Sequence, residues 1–210
     1  MDAFLVQQPS GAGGGGGGSV FLQQTFTGTP GTALTSLAPA IGSTWGIQNG
    51  YSPATPPALD AAGTALYATV ANDIYVNAAV PPAADYHVEA VFSCLSLIGG
   101  DTLGVMLRAQ SGAANYYTVR FSAGSWGLAP VIAGNIGSVQ NIMDPGFGAG
   151  VSRTVRLTAV GSTITASVGG IGTAQITDAQ ITAAGSAGLR LSSASTPTTG
   201  IHVTSIIAST

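Results

Sequence analysis

The chain contains no lysine, and its 210 residues carry only five basic and eight acidic side chains. Charged residues make up 6% of it, where globular domains ordinarily carry about 25%. A free monomer stays soluble through a mixed-charge surface, so a chain this poor in charge suits a surface that becomes covered. With a formal net charge of −3 and no basic cluster, nucleic-acid binding is disfavoured, because nothing neutralises phosphates. Without lysine there is also no Walker sequence.

Cysteine is nearly absent. The single Cys94 excludes an internal disulfide, and its setting in "VEAVFSCLSL" predicts an inert thiol in a buried strand. The two histidines, His87 and His202, are too few for most metal sites and are each expected on an exposed or interfacial strand face. No apolar run approaches the ~18 residues of a membrane span. The start, "MDAFLVQQPSGAGG", has an aspartate where a signal peptide needs positive charge, so export by the usual route is not expected.

Catalytic constellations are missing too. Glu89 is the only glutamate, and Asp85 lies in a turn ahead of it, which leaves no carboxylate pair arranged for glycoside hydrolysis. No nucleophile elbow occurs in a strand–turn–helix setting. "GAGGGG" formally satisfies a dinucleotide fingerprint, but any glycine run does, and no strand–helix unit encloses it. No catalytic, cofactor-binding or metal residue is assigned, no cofactor is expected, and the chain is read as a non-enzyme.

Glycine is abundant, at 31 residues, and "GAGGGGGGSV" fills positions 11–20. Such a run cannot order itself, because glycine loses more backbone entropy than any other residue. Residues 1–20 are therefore read as an extended arm and 21–210 as one continuous β-rich body.

Period-two alternation recurs through that body. Tyr86, Val88, Ala90, Phe92 and Cys94 share one face, with His87, Glu89, Val91 and Ser93 opposite. Tyr117, Val119 and Phe121 alternate with Tyr116, Thr118 and Arg120, and Ile164, Ala166 and Val168 with Thr163, Thr165 and Ser167. Turn residues fall at "SAGSWG" (122–127), "VGST" (160–163) and "GGIG" (169–172). One helical turn is expected within 177–185, capped by Asp178. Many short strands at such spacing predict an all-β antiparallel sandwich.

The succession "TFTGTPGTALTSLAPAIGSTW", "PAADYHVEAVFS", "DTLGVMLRAQSGAANYYTVRFSAGSWGL", "RTVRLTAVGSTITASVGG" and "ITDAQITAAGSAGLRL" resembles the laminin-G-like, concanavalin A-like jelly rolls common in bacteriophage virion proteins and secreted bacterial proteins. The resemblance spans about residues 24–207. It implies two stacked antiparallel sheets with the terminal strands adjacent, Trp45 as the early core tryptophan, and Gly188-Leu189-Arg190 on the penultimate strand. Gln24 stands where the family often has an acidic residue, which weakens any expectation of calcium.

The function expected from this resemblance is that of a non-enzymatic virion structural protein, a decoration or accessory protein on a phage head or tail. It would assemble in the host cytoplasm with other virion proteins and copies of itself, anchored through Phe4, Leu5 and Val6 of the arm. The alternative is a carbohydrate-binding, lectin-like module acting on a host receptor or outside the cell. For that alternative the rim loops "GYSPATPPALD" (50–60) and "MDPGFGAG" (143–150) would form the site, and the candidate glycan contacts are His87, Glu89, Arg108, Tyr116, Arg120 and Trp126. They share a face if strands 86–94, 102–109 and 115–122 are neighbours. Cross-strand ion pairing on a solvated sheet is the ordinary reading of the same set, and a hairpin clamp that of Trp126.

Overall fold

Alternating segments of this kind bury one face each and need a second layer to bury it against. The computed structural model describes residues 18–71, 73–97, 102–192 and 195–210, with Asp73 described by its backbone alone. The first strands are β1 (Val20–Thr25), β2 (Trp45–Ile47), β3 (Ala58–Leu59), β4 (Leu66–Tyr67) and β5 (Asp73–Asn77). Next come β6 (Tyr86–Ser96), β7 (Leu103–Ala109), β8 (Tyr116–Ser122), β9 (Ser125–Ile132), β10 (Asn135–Ile136) and β11 (Gln140–Met143). The last are β12 (Ser152–Val160), β13 (Thr163–Val168), β14 (Gly172–Thr177), β15 (Ser186–Leu191) and β16 (Gly200–Ser209). No α-helix occurs among the described residues.

The strands form two antiparallel eight-stranded sheets. The first runs β14-β13-β12-β6-β16-β4-β3, with β1 also on β16. The second runs β10-β9-β8-β7-β15-β5-β2, with β11 also on β9. The pairing of β1 with β16 brings the two ends of the body together, and the Ser19 amide donates to Thr210 Oγ1 at 3.1 Å. This is the jelly-roll sandwich that the alternation and the resemblance predict.

The core lies between the sheets. Tyr86, Val88, Ala90, Phe92 and Cys94 of β6 face Tyr117, Val119 and Phe121 of β8 and their neighbours, all at most 2% exposed. Phe92, Phe121, Trp126 and Phe147 pack in a knot with ring centroids 4.9 to 5.5 Å apart. Such pairs contribute about 0.5–1.5 kcal/mol each beyond the area they bury. The β8–β9 hairpin turns through Ala123 (φ +48°) and Gly124 (φ +79°), the left-handed pair that matches strand twist.

The helical turn expected at 177–185 is not formed. Asp178 Oδ1 instead accepts from the Gln180 amide at 2.7 Å, closing a local turn that competes with helix. The Tyr117 hydroxyl donates to the same carboxylate at 2.7 Å and accepts from the Ile181 amide, pinning the segment as a loop. His202 is also corrected: it is 1% exposed, packed on Tyr67, with Nε2 within 3.0 Å of the Thr196 carbonyl and Nδ1 3.4 Å from Asp60. The turn at 196–199 folds over a strand face that alternation alone leaves open.

Candidate functional site

The outer face of the second sheet carries the least balanced chemistry among the described residues. One cross-strand row runs through Ile74, Arg190, Gly104, Arg120, Gly127 and Asn141, read from the registers of β5, β15, β7, β8, β9 and β11. Arg190 and Arg120 are thus two strands apart, about 9.5 Å between backbones at ordinary strand spacing. Gly104 lies between them, and a Cβ there would sit 1.9 Å from the Val119 carbonyl oxygen. That approach excludes any larger residue and leaves the ground between the arginines unfilled by a side chain. Beyond Arg120, a depression of ≈ 250 Å³ is lined by Arg120, Ser122, Ser125, Gly127, Val139 and Asn141.

Beside this row a second apolar cluster, Ile74, Met106, Tyr116 and Val131, is covered by Tyr51. Arg190 Nη1 donates to the Tyr116 hydroxyl, and its guanidinium carbon lies 5.9 Å from the Tyr116 ring centre. Arginine only donates, so the Tyr116 proton is free to point to the Tyr51 hydroxyl, 2.9 Å away. Burial pushes the Tyr116 hydroxyl above its ordinary value, against the pull of the Arg190 charge. It stays neutral and fixes the guanidinium in place.

The charges on this face are not matched. Arg108, Arg153 and Arg156 pair with Asp85, Asp144 and Glu89. Among the described residues no carboxylate pairs with Arg120 or Arg190. Burial, and then the Arg190 charge, lowers Arg120 from its ordinary value. Only two buried side-chain polar atoms among the described residues lack a hydrogen-bond partner, Arg190 Nε and Ser192 Oγ. Arg190 lies on this face of β15, and Ser192 follows just after the strand ends at Leu191. An orphaned buried donor costs about 1–3 kcal/mol, so each calls for an acceptor or a structural reason.

The other concavities are better satisfied. A wider groove beside β14 is lined by Gln175, Asp178 and Gln180 among others. Gln175 already donates to Thr165 Oγ1, and Gln180 and Tyr117 both donate to Asp178. The groove's one carboxylate is thus held by donors of the protein itself.

The sequence-derived contact set does not stay together. β6 belongs to the first sheet while β7 and β8 belong to the second, because the chain crosses between layers after Ser96. His87 and Glu89 therefore lie on the far side of the sandwich from Tyr116 and Arg120. Glu89 meets Arg156 at 2.9 Å, a cross-strand ion pair, and His87 Nε2 lies 3.1 Å from Ser209 Oγ. Burial, then the Arg156 charge, lowers His87 below its ordinary value.

Arg108 is 1% exposed. An extra residue on β7 opposite Ser186–Gly188, with Arg108 at φ +51°, turns its side chain away from the strand face. It donates to the Ala84 and Ile181 carbonyls and to Asp85. Trp126 is fully buried, its Nε1 donating to Asp144 at 3.1 Å. Tyr116 and Arg120 are the two members on the candidate face, but Tyr116 is fully buried beneath Tyr51, and only Arg120 reaches the surface. Phe4, Leu5 and Val6 lie outside the described residues. Tyr51 comes from the 50–60 loop expected at the site, while Arg190 and Asn141 join it without having been singled out as contacts. The resemblance put Arg190 on the penultimate strand, but nothing local named β7 as that strand's neighbour.

No family model matches the sequence, and no curated protein sequence matches it. Solved structures do share its fold. The carbohydrate-binding module CBM66 from Bacillus subtilis superposes with a TM-score of 0.63 at 15% identity, covering 80% of this chain and 97% of that one. A chain from work on the endo-acting O-glycanases with which human gut microbiota initiate mucin breakdown gives 0.62 at 8% identity, covering 91% and 99%. The CBM2 module of an evolved Dit from Lactobacillus casei BL23 phage J-1 gives 0.54 at 12% identity, covering 90% and 94%. At these identities the likeness establishes a common jelly-roll architecture.

Proposed function

We propose that this chain is a non-catalytic carbohydrate-binding module whose ligand docks on the outer face of the second sheet. The observation that carries this reading is the coincidence there of two arginines that pair with no carboxylate among the described residues, one of them with an unpartnered Nε. Sugar recognition needs planar, directional donors beside an aromatic or apolar surface. Arg120 and Arg190 supply the donors, and the half-buried Tyr51, which packs over the buried Tyr116, Met106 and Ile74, supplies the aromatic surface. That two of the similar folds are named as carbohydrate-binding modules supports the reading.

A glycan array probed with the intact chain tests it. Reproducible binding to one sugar class, competed by that sugar in solution, is expected. An array blank across all classes would refute it.

A second reading concerns where the module works. The likeness to a phage Dit module, covering 90% of this chain, supports display on a bacteriophage particle. In that setting the glycine-rich arm tethers the module to neighbouring virion proteins through Phe4, Leu5 and Val6. Loss of particle incorporation on deleting residues 1–17 is the expected result, and normal incorporation would refute the tether.

A further inference from the structure

Resting on the carbohydrate-binding reading above, we infer that the ligand is an acidic glycan, whose carboxylate or sulfate group docks between Arg120 and Arg190. The chain as a whole is acidic, with a formal net charge of −3. The two arginines that pair with no carboxylate among the described residues nevertheless occupy one row of one sheet, separated by a glycine. The other three arginines each have a carboxylate within 3.0 Å.

Holding two guanidinium groups side by side at a partly desolvated surface is unfavourable unless something offsets the repulsion. A neutral sugar hydroxyl can accept a hydrogen bond there, but it leaves the like charges facing each other. A carboxylate or sulfate ester does both, because its oxygens match the guanidinium fork and its charge falls between the two cations. Arg190 spends Nη1 on Tyr116, and its Nε has no acceptor. Its exposure of only 8% makes it a preorganised donor, with little rotamer freedom left to lose on binding. Arg120, which is half-buried, is the second jaw. Ser122, Ser125 and Asn141 continue the polar lining beyond it, where hydroxyls of the same or the next sugar ring would lie.

The test is calorimetric titration of the full chain with two matched pairs of probes: trigalacturonate against its methyl ester, and lactose 3′-sulfate against lactose. The account expects at least one acidic probe to bind tenfold or more tightly than its neutral counterpart, with affinity falling as salt is raised from 50 to 500 mM. The pair that responds identifies the anion. Arg120→Ala should abolish that preference while its melting curve overlays the parent. Arg190→Lys, which keeps the charge but loses the fork, should weaken the acidic probe without creating affinity for the neutral one.

If neutral and acidic probes bind alike and Arg120→Ala changes neither, the acidic-ligand inference is overturned and the carbohydrate reading stands. If these probes are blank, the array decides. Binding there only to neutral glycans overturns the inference alone, and an empty array overturns both.

Discussion

Replacing Arg153 by alanine strips a buried carboxylate of its counter-charge. Asp144 is 1% exposed and accepts from Arg153 Nε at 2.9 Å and Nη2 at 3.0 Å, with Trp126 Nε1 as third donor at 3.1 Å. Arg153 itself is 17% exposed and lies 5.9 Å from the Phe147 ring centre, over the aromatic knot. Removing one partner of a buried pair costs about 3–5 kcal/mol, because the remaining charge stays desolvated. The partial exposure of Arg153 lets water approach, so about 3 kcal/mol is expected at pH 7.

The pH dependence gives a second handle on the same pair. Burial alone would raise the Asp144 carboxyl, but the bonds from Arg153 and Trp126 outweigh it and hold the group below the usual carboxylate range. A depressed folded value means that the stabilisation is complete above the unfolded value of about 3.9 and is lost as pH falls through the folded one. In the alanine variant the carboxyl loses its main support, so protonation relieves the variant as it weakens the parent. Urea denaturation at pH 7 and at pH 3 should therefore show a gap that narrows on acidification. A difference below about 1 kcal/mol at pH 7, or a gap that widens in acid, would refute the reasoning.

Three further outcomes follow from other parts of the fold. Gly104→Ala forces a methyl group against the Val119 carbonyl and should destabilise by about 1–3 kcal/mol in denaturant titration, as overpacking does. Arg120→Ala should shift stability by no more than about 0.5 kcal/mol, since it removes no ion pair among the described residues. Deleting residues 1–17 should leave the melting temperature of the body unchanged, because the strands begin at Val20, and thermal scanning of the truncated chain checks it.

Which face of each strand meets the core between the sheets was legible from side-chain alternation, but that β8 also buries Tyr116 and Thr118 on its outer face was not. Tyr117, Val119 and Phe121 point inward and Tyr116, Thr118 and Arg120 outward, because strand geometry fixes that choice locally. Which strands lie side by side is a different kind of fact. β6 and β7 are consecutive, yet they sit in opposite layers, so His87 and Glu89 were grouped with Tyr116 and Arg120 across the whole thickness of the sandwich.

Arg190 shows the converse. It lies 70 residues beyond Arg120 in sequence but two strands away in space, and only the register through Gly104 joins them. Gly104 was itself a readable signal, since a glycine inside a strand marks a close backbone approach. Arg108 and Trp126 were misplaced for local reasons, a bulge with positive φ in one case and a buried Asp144 acceptor in the other.

The central claim is that sugar binds to the outer face of the second sheet. Amide chemical-shift mapping of the labelled chain with the tightest glycan from the array tests it most directly. The account predicts that perturbations cluster on Gly104, Tyr116, Arg120, Gly127, Asn141 and Arg190, and that the amides of His87, Glu89 and Arg156 on the opposite sheet stay still. Perturbations centred on His87, Glu89 and Arg156, with the Arg120–Arg190 row unchanged, would contradict it.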